Sequence, residues 1–222
     1  EIVGCDWSSD VCSSDLSLPP LAVVPKLMDV FREYSKWLSV LGLSTMDSLH
    51  ERVSKGQSLE LILISEAFHS EALSRIAREI IGRKGVRLVC LAGPSSSGKT
   101  TTSKRLAIQL SVSGMRPVAL ALDDYYVDRA RTPRDENGKY DFEALEALDL
   151  ELVNEHLEAL LAGEEVQLPK FDFITGTRKQ GKRLRLDGGD ILIIEGIHGL
   201  NEKLTESTLV RSEERRVGKE CR

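Results

Sequence analysis

Apolar positions recur with two different periods along this chain, and the change falls near Gly82. Before it the spacing is helical. Leu27, Val30, Phe31, Tyr34, Trp37, Leu38 and Leu41 line one face of a helix that starts near Pro25 and stops at Gly42. Ser44 is placed to cap a short second helix ending before Gly56. A third helical stretch is predicted from about Leu59 to Ile81, with a break near His69-Ser70. The stripe carrying Phe31 and Trp37 reads as core or interdomain packing rather than a ligand site, because such stripes normally face a core.

After Gly82 apolar runs alternate with helical patterns. Val86–Ala92 is predicted to be a buried strand and Lys99–Ser113 a helix that stops at Gly114. Pro117–Leu122 reads as a second strand, followed by a polar loop with Pro133 and Asn137-Gly138. Helices are expected over Phe142–Leu148 and Leu150–Ala162, with Gly163 as the stop. Val166–Phe173 looks extended. Arg183–Leu186 and Asp190–Ile194 read as two more strands around an Asp187-Gly188-Gly189 turn. This alternation predicts an α/β fold, a parallel sheet with helices on both faces, preceded by an α-helical segment.

Composition changes the picture mainly at the two ends. Asp6–Leu16 and Arg211–Arg222 read as translations of sequencing-adaptor strands, and Glu1–Cys5 is grouped with the first of them. The expected organisation is therefore an adaptor segment over 1–16, a helical linker over 17–82, an incomplete phosphate-loop domain over 83–210 and a second adaptor segment over 211–222. Of the 222 residues' net charge of −5, the two ends carry −4 and +2, leaving −3 for the interior. A mildly acidic interior gives no electrostatic case for direct nucleic-acid binding. With the ends set aside Cys90 is the remaining cysteine, which implies no disulfide framework and fits a reducing cytoplasm. No secretory signal or bilayer-length apolar run is visible in the sequence.

The chemistry-bearing stretch is Gly93-Pro94-Ser95-Ser96-Ser97-Gly98-Lys99-Thr100, a complete G-x-x-x-x-G-K-[ST] loop between a predicted strand and a predicted helix. Glycines let backbone N–H groups close around phosphate oxygens, and the helix N-terminus adds positive potential. Gly93, Ser95, Ser96, Ser97, Gly98, Lys99, Thr100 and Thr101 form the candidate phosphate cradle. Lys99 can reach the terminal phosphates, and the Thr100 hydroxyl can bind Mg²⁺. In open α/β sheets ligands sit at the carboxyl ends of strands, where this sequence puts Asp123, Asp124 and Glu195. Glu195 can hold the metal or its bound water, and an Asp after the second strand can accept the proton of an attacking hydroxyl. The competing reading of Asp123-Asp124 is an ordinary polar loop or helix cap.

Several further motifs stand in order. Asp123-Asp124-Tyr125-Tyr126, Tyr140-Asp141-Phe142, Pro169-Lys170-Phe171-Asp172-Phe173, Arg178-Lys179 and Glu195-Gly196-Ile197-His198 follow the loop. Over about Val86 to Leu200 the chain resembles the uridine–cytidine kinases of the phosphoribulokinase/uridine kinase group. The helical run before Gly82 is similar to the segment preceding the kinase in a bacterial subset with upstream TGS and threonyl-tRNA-synthetase-like domains. The resemblance implies ATP as phosphoryl donor, Mg²⁺, and a nucleoside 5′-hydroxyl as acceptor. It implies that Asp123 is the general base and Lys99 the phosphate clamp. Tyr126, Asp141, Phe171 and Arg178 would bind the acceptor, and Thr100 and Glu195 the metal. His198 would sit near the site, whereas His50, His69 and His156 read as structural or surface residues. Pyrimidine-specific members carry a His where this chain has Gly176, which implies looser base reading or a purine preference. The resemblance breaks off near Leu209, before further strands and an arginine-bearing lid, so the chain is expected to be a fragment impaired in transfer. Two other readings remain: a kinase for another hydroxyl substrate such as a sugar phosphate, and a nucleotide-gated RNA-associated regulatory protein. A guanine-reading Asn-Lys-x-Asp motif does not occur.

Overall fold

The computed structural model describes residues 25–204, with side chains from Met28 onward. The segments 1–16 and 211–222, read above as adaptor translations, lie outside the described residues. The chain divides into two compact units, one running to Ser58 and the other from Leu59. The division falls inside the segment read as a helical linker.

The first unit holds α1 (Pro25–Val40) and α2 (Met46–Ser54). Thr45, one residue after the expected Ser44, caps α2: Ser48 N donates to Thr45 Oγ1 and Thr45 N to Ser48 Oγ, both at 3.2 Å. This reciprocal pair satisfies two amide donors at the helix start. Of the two roles expected of the α1 stripe, core or interdomain packing, the first is not met within this unit. Val30, Phe31 and Tyr34 are 63%, 65% and 53% exposed, and none of residues 28–40 is buried.

The second unit opens with α3 (Ser58–Gly82), continuous through the expected break at His69-Ser70. No Gly or Pro interrupts residues 59–81. The two polar side chains have tertiary partners instead: Arg105 Nη1 lies 3.0 Å from His69 Nδ1, and Gln109 Nε2 donates to Ser70 Oγ at 3.2 Å. Those partners sit on α4 (Lys99–Val112).

Three parallel strands build the sheet: β1 (Leu88–Ala92), β2 (Arg116–Ala121) and β5 (Asp190–Gly196), in the order β1-β5-β2. Central β5 is buried along its whole length, which explains its continuous apolar run. Its alternate residues feed two cores. Ile191 and Ile193 pack with Leu73 and Ala77 of α3 and Leu106 and Leu110 of α4. Leu192 and Ile194 face the core containing Val153, Leu157 and Leu160 of α5 (Leu150–Ala162). Helices therefore cover both faces, as the alternation predicts. Each fully buried aliphatic side chain contributes about 1.5–3 kcal/mol. β1 is an edge strand and only half-buried, Cys90 included, contrary to the buried strand expected; the partial burial still pushes the Cys90 thiol up to about 11. Pro117 is tolerated because β2 is the other edge, where a missing ladder donor costs little.

Two expectations fail on this side of the molecule. Phe142–Leu148 is not an α-helix; a single 3₁₀ turn spans Leu145–Ala147. Asp141 Oδ1 accepts from Glu143 N and Ala144 N at 2.9 and 3.1 Å, which diverts the chain into a turn before a helix can nucleate. Of the two strands expected around Asp187-Gly188-Gly189, Asp190–Ile194 is present within β5, whereas Arg183–Leu186 is not a strand of its own: Arg183 and Leu184 end a longer strand that starts at Thr177. β3 (Val166–Asp172) instead pairs antiparallel with β4 (Thr177–Leu184), as a hairpin separate from the parallel sheet. β4 reads TRKQGKRL and shows no apolar alternation, so its pairing with β3 rather than its own pattern makes it a strand.

Candidate functional site

The loop between β1 and α4 closes on itself tightly. A Cβ at Gly93 would lie 2.8 Å from Ser97 Oγ and 3.4 Å from the Lys99 stem, so only glycine lets these two side chains fold over the strand end. Ser96 takes φ +59° and Gly98 φ +82°, and α4 begins at the next residue. Alternating backbone of this kind turns successive N–H groups inward as an anion-binding nest, aimed along the helix N-terminus. The Lys99 ammonium donates to the Pro94 carbonyl at 2.7 Å.

Sequence-distant acids complete this cleft. It encloses about 360 Å³ and is lined by Ser95, Ser96, Ser97, Gly98, Lys99, Thr100, Thr101, Asp123 and Glu195. Glu195, buried at the end of β5, accepts a hydrogen bond from the Thr100 hydroxyl at 2.7 Å. The two residues expected to hold a metal thus already touch. Among the described residues no group of three or more His, Cys, Asp or Glu side chains could hold a metal ion. One hydroxyl and one carboxylate beside a phosphate nest nonetheless suit Mg²⁺, which keeps waters and phosphate oxygens as its other ligands.

Asp123 and Asp124 have different environments. Asp123 faces the phosphate cleft; enclosure by protein first, and the Glu195 charge second, push its carboxyl above the ordinary range, with Lys99 opposing. Asp124 is turned toward the hairpin, where Lys170 Nζ lies 3.0 Å from its Oδ1 and Phe171 N donates to Oδ1 at 3.4 Å. A carboxylate held by an ammonium and an amide is spoken for. Asp123, and not Asp124, lines the phosphate cleft.

An aromatic cluster lies on the other side of Asp123. Tyr126 meets Phe142, Phe171 and Phe173 edge-on, with centroids 5.5, 5.7 and 6.2 Å apart. Burial, with the charge of Asp123 behind it, pushes the Tyr126 hydroxyl up to about 12. Phe171 is only 3% exposed and belongs to the core, whereas Phe173 is 56% exposed and offers its ring to solvent. The sequence reading selected Phe171 alone; the period-2 alternation of β3 (Phe171 inward, Asp172 half-buried) offered no hint that the ring just past the strand would be the accessible one. Asp141 keeps Oδ2 clear of the turn that its Oδ1 caps. Arg178 pairs with Asp149 Oδ2 at 2.8 Å, at the start of α5, and its backbone N donates to Asp128 Oδ1. That guanidinium is committed to an ion pair with Asp149. His198 Nε2 is buried without a hydrogen-bond partner among the described residues, and His156 is buried against Tyr125, 3.0 Å from its hydroxyl.

A strand–nest–helix loop carrying a lysine, with a strand-end glutamate and a following aspartate, defines a phosphate-binding α/β protein of the kinase type. The profile of the Phosphoribulokinase / Uridine kinase family matches residues 88–210, more than half of the chain, and the chain belongs to that family. It is 36% identical over 110 residues to a uridine kinase of Chloroflexus aurantiacus (strain ATCC 29366 / DSM 635 / J-10-fl), covering 50% of this chain and 51% of that protein. A uridine kinase of Halobacterium salinarum is 29% identical over 119 residues, covering 54% and 51%. The chain spans about half the length of the curated relatives it matches. Among solved structures, a possible uridine kinase from Bacillus stearothermophilus superposes with a TM-score of 0.53 at 26% identity, over 61% of this chain and 75% of that one. No helix among the described residues is long and apolar enough to cross a membrane.

Proposed function

We propose that this chain carries the phosphate-binding and base-bearing part of an ATP-dependent kinase that phosphorylates the 5′-hydroxyl of a nucleoside, with residues 83–210 as its kinase domain. One observation carries the reading: Lys99, Thr100, Asp123 and Glu195, drawn from three separate stretches of sequence, line a single cleft around a phosphate nest. Phosphoryl transfer asks a protein mainly for positioning and charge neutralisation. In this reading the loop amides from Ser95 to Thr101 hold the triphosphate, with Gly93 allowing the loop to close. Lys99 leaves Pro94 and moves onto the terminal phosphates. Thr100 and Glu195 would hold Mg²⁺, which when bound would neutralise charge on the transferred group. Asp123 accepts the acceptor hydroxyl's proton as the oxygen attacks. Its raised affinity for a proton suits a base that must take one up.

The aromatic cluster favours a nucleoside over a sugar phosphate. Phe173 offers its exposed ring to a planar base, with the buried Tyr126 backing it edge-on, while Asp141 Oδ2 suits ribose hydroxyls. Phe171 supports Phe173 from the core, and Arg178 stiffens the wall through Asp149. Gly176 supplies no side chain to read a base edge, so we infer acceptance of more than one base. The test is acceptor-dependent ADP release by the full-length protein, screened over uridine, cytidine, adenosine, guanosine and a pentose phosphate. Release with at least one nucleoside is expected. ATP hydrolysis that no acceptor stimulates would sink the kinase reading in favour of a nucleotide-gated switch, and selectivity for the pentose phosphate would replace the acceptor.

A further inference from the structure

The β3–β4 turn is held from outside by two consecutive residues, Asp128 and Arg129, that follow the acid-bearing segment. Arg129 N donates to the Gly176 carbonyl at 2.8 Å, and Arg129 Nη2 donates to the Phe173 carbonyl at 2.7 Å. Asp128 Oδ1 accepts from Arg178 N at 2.9 Å. Both sides of the turn are therefore tied to a stretch that begins five residues after Asp123. The turn's internal bonds do not reach that stretch: Ile174 N and Thr175 N bond to Asp172 Oδ1, and Gly176 N to the Asp172 carbonyl.

Gly176 is fitted to this contact twice over. Its φ is +70°, a left-handed value that favours glycine, and a Cβ there would sit 2.6, 2.7 and 2.8 Å from Nε, Cζ and Cβ of Arg129. The clash includes Cβ, so rotating the guanidinium away would not relieve it. The arginine side chain fills the volume that a side chain at 176 would take. A planar guanidinium can lie flat against a glycine while its fork reaches a carbonyl, which a lysine ammonium cannot do.

Phe173 is both the carbonyl that Arg129 grips and the exposed ring of the aromatic cluster, 5.0 Å from Phe171 and 6.2 Å from Tyr126. Fixing its backbone fixes where that ring stands relative to Asp123. Building on the assignment of this cluster as the acceptor wall, we propose that Arg129 is a positioning residue. It clamps the β3–β4 turn onto the acid-bearing segment, sets the acceptor's affinity, and makes glycine obligatory at 176.

The test compares Arg129→Ala, Gly176→Ala, the double variant and Arg129→Lys in the full-length protein. Two readouts are taken: amide hydrogen exchange across residues 173–177, and steady-state kinetics with each substrate varied. Loss of one charge-assisted hydrogen bond predicts about tenfold faster turn exchange and about tenfold higher acceptor KM in Arg129→Ala. The KM for ATP is expected to stay within about twofold, since the clamp does not touch the phosphate nest. Gly176→Ala is expected to raise acceptor KM to a similar degree, and the double variant to fall short of the product of the two singles, because one contact underlies both. Should Arg129→Ala fail to fold, Arg129→Lys, which keeps the stem and the charge, gives the same comparison. Wild-type exchange in the turn, or singles that multiply, would overturn the clamp. Faster exchange with an unchanged acceptor KM would overturn its positioning role. A wild-type protein that turns over no nucleoside would refute the proposed function but leave the exchange measurements to judge the clamp.

Discussion

The phosphate nest and the proposed acceptor wall beyond Asp123 are built in opposite ways. The nest is local: Gly93 to Thr101 is one stretch of chain, and its shape follows from two glycines, one positive-φ serine and the start of a helix. The acceptor side is assembled from afar. Asp124 reaches Lys170 and Phe171, Asp128 reaches Arg178, Arg129 reaches Phe173 and Gly176, and Arg178 reaches Asp149. A local motif can be carried intact by any chain that contains it. An assembled wall can shift as a body, and so can change the acceptor without disturbing the donor site.

The largest effect that tests this division is expected at Lys99. Lys99→Ala removes the charge that clamps the transferred phosphoryl group, and losses of this kind cost on the order of 10²-fold or more in kcat. Among the described residues its side chain bonds just the Pro94 carbonyl, so the fold should survive, with a melting temperature near wild type. Near-normal turnover by the folded variant would remove the nest from the mechanism.

Asp123 and Asp124 sharpen the comparison, since adjacent residues fall on opposite sides of it. Asp123→Asn is expected to lower kcat by roughly 10²–10⁴-fold with nucleotide affinity little changed. Its stability should hold or rise. A carboxyl whose folded pKa lies above its unfolded value of 3.8 stabilises the fold below that pH and loses the contribution as pH rises, so at neutral pH its charge is a cost. Asp124→Asn breaks the Lys170 pair instead, and should raise acceptor KM more than it lowers kcat. A larger kcat loss in Asp124→Asn would exchange the two roles.

The same division explains what could be read from the chain. The loop, the strand-end position of Glu195, and the helices on both faces of the sheet follow from motif and periodicity, because short-range spacing or burial on β5 encodes them. β4 was illegible because TRKQGKRL has no apolar face; its strand geometry comes from β3. The helix expected at Phe142–Leu148 gave way to Asp141, whose carboxylate captures two amides. The exposed α1 stripe shows the limit of periodicity: it identifies an amphipathic helix without naming what covers its apolar face.

A smaller effect is expected behind the acceptor wall, at the buried Tyr125–His156 pair. Burial holds the His156 imidazole below its usual 6.5, with the Arg178 charge adding to the effect and Glu155 and Asp149 opposing it. The unfolded chain therefore binds the proton more readily than the folded one. Stability is complete above pH 6.5 and is lost as pH falls toward the folded pKa, by about 1.4 kcal/mol for each unit of depression. The expected readout is a melting temperature lower at pH 5.5 than at pH 8, with a flatter slope in His156→Gln. An equal slope in that variant would assign the acid sensitivity to other groups.

The smallest effect should come from the turn's own acid. Asp172 accepts from two turn amides and pairs with Lys179, and the Lys179 contact first, with the turn amides behind it, holds its carboxyl down to about 2. The sign is opposite to that of Asp123. Asp172 contributes above its unfolded value of 3.8, and the contribution disappears as pH falls through about 2. Asp172 is half-buried but its Lys179 partner is exposed and screened by solvent, so Asp172→Asn, which keeps an oxygen for the amides and removes the ion pair, should scarcely move the melting temperature at pH 7. It should still accelerate exchange at Ile174 and Thr175, the amides its carboxylate holds, by less than Arg129→Ala does. The order matters for how the wall is built. If Asp172→Asn loosens the turn more than Arg129→Ala, the hairpin is self-supporting and the acceptor wall is as local as the nest.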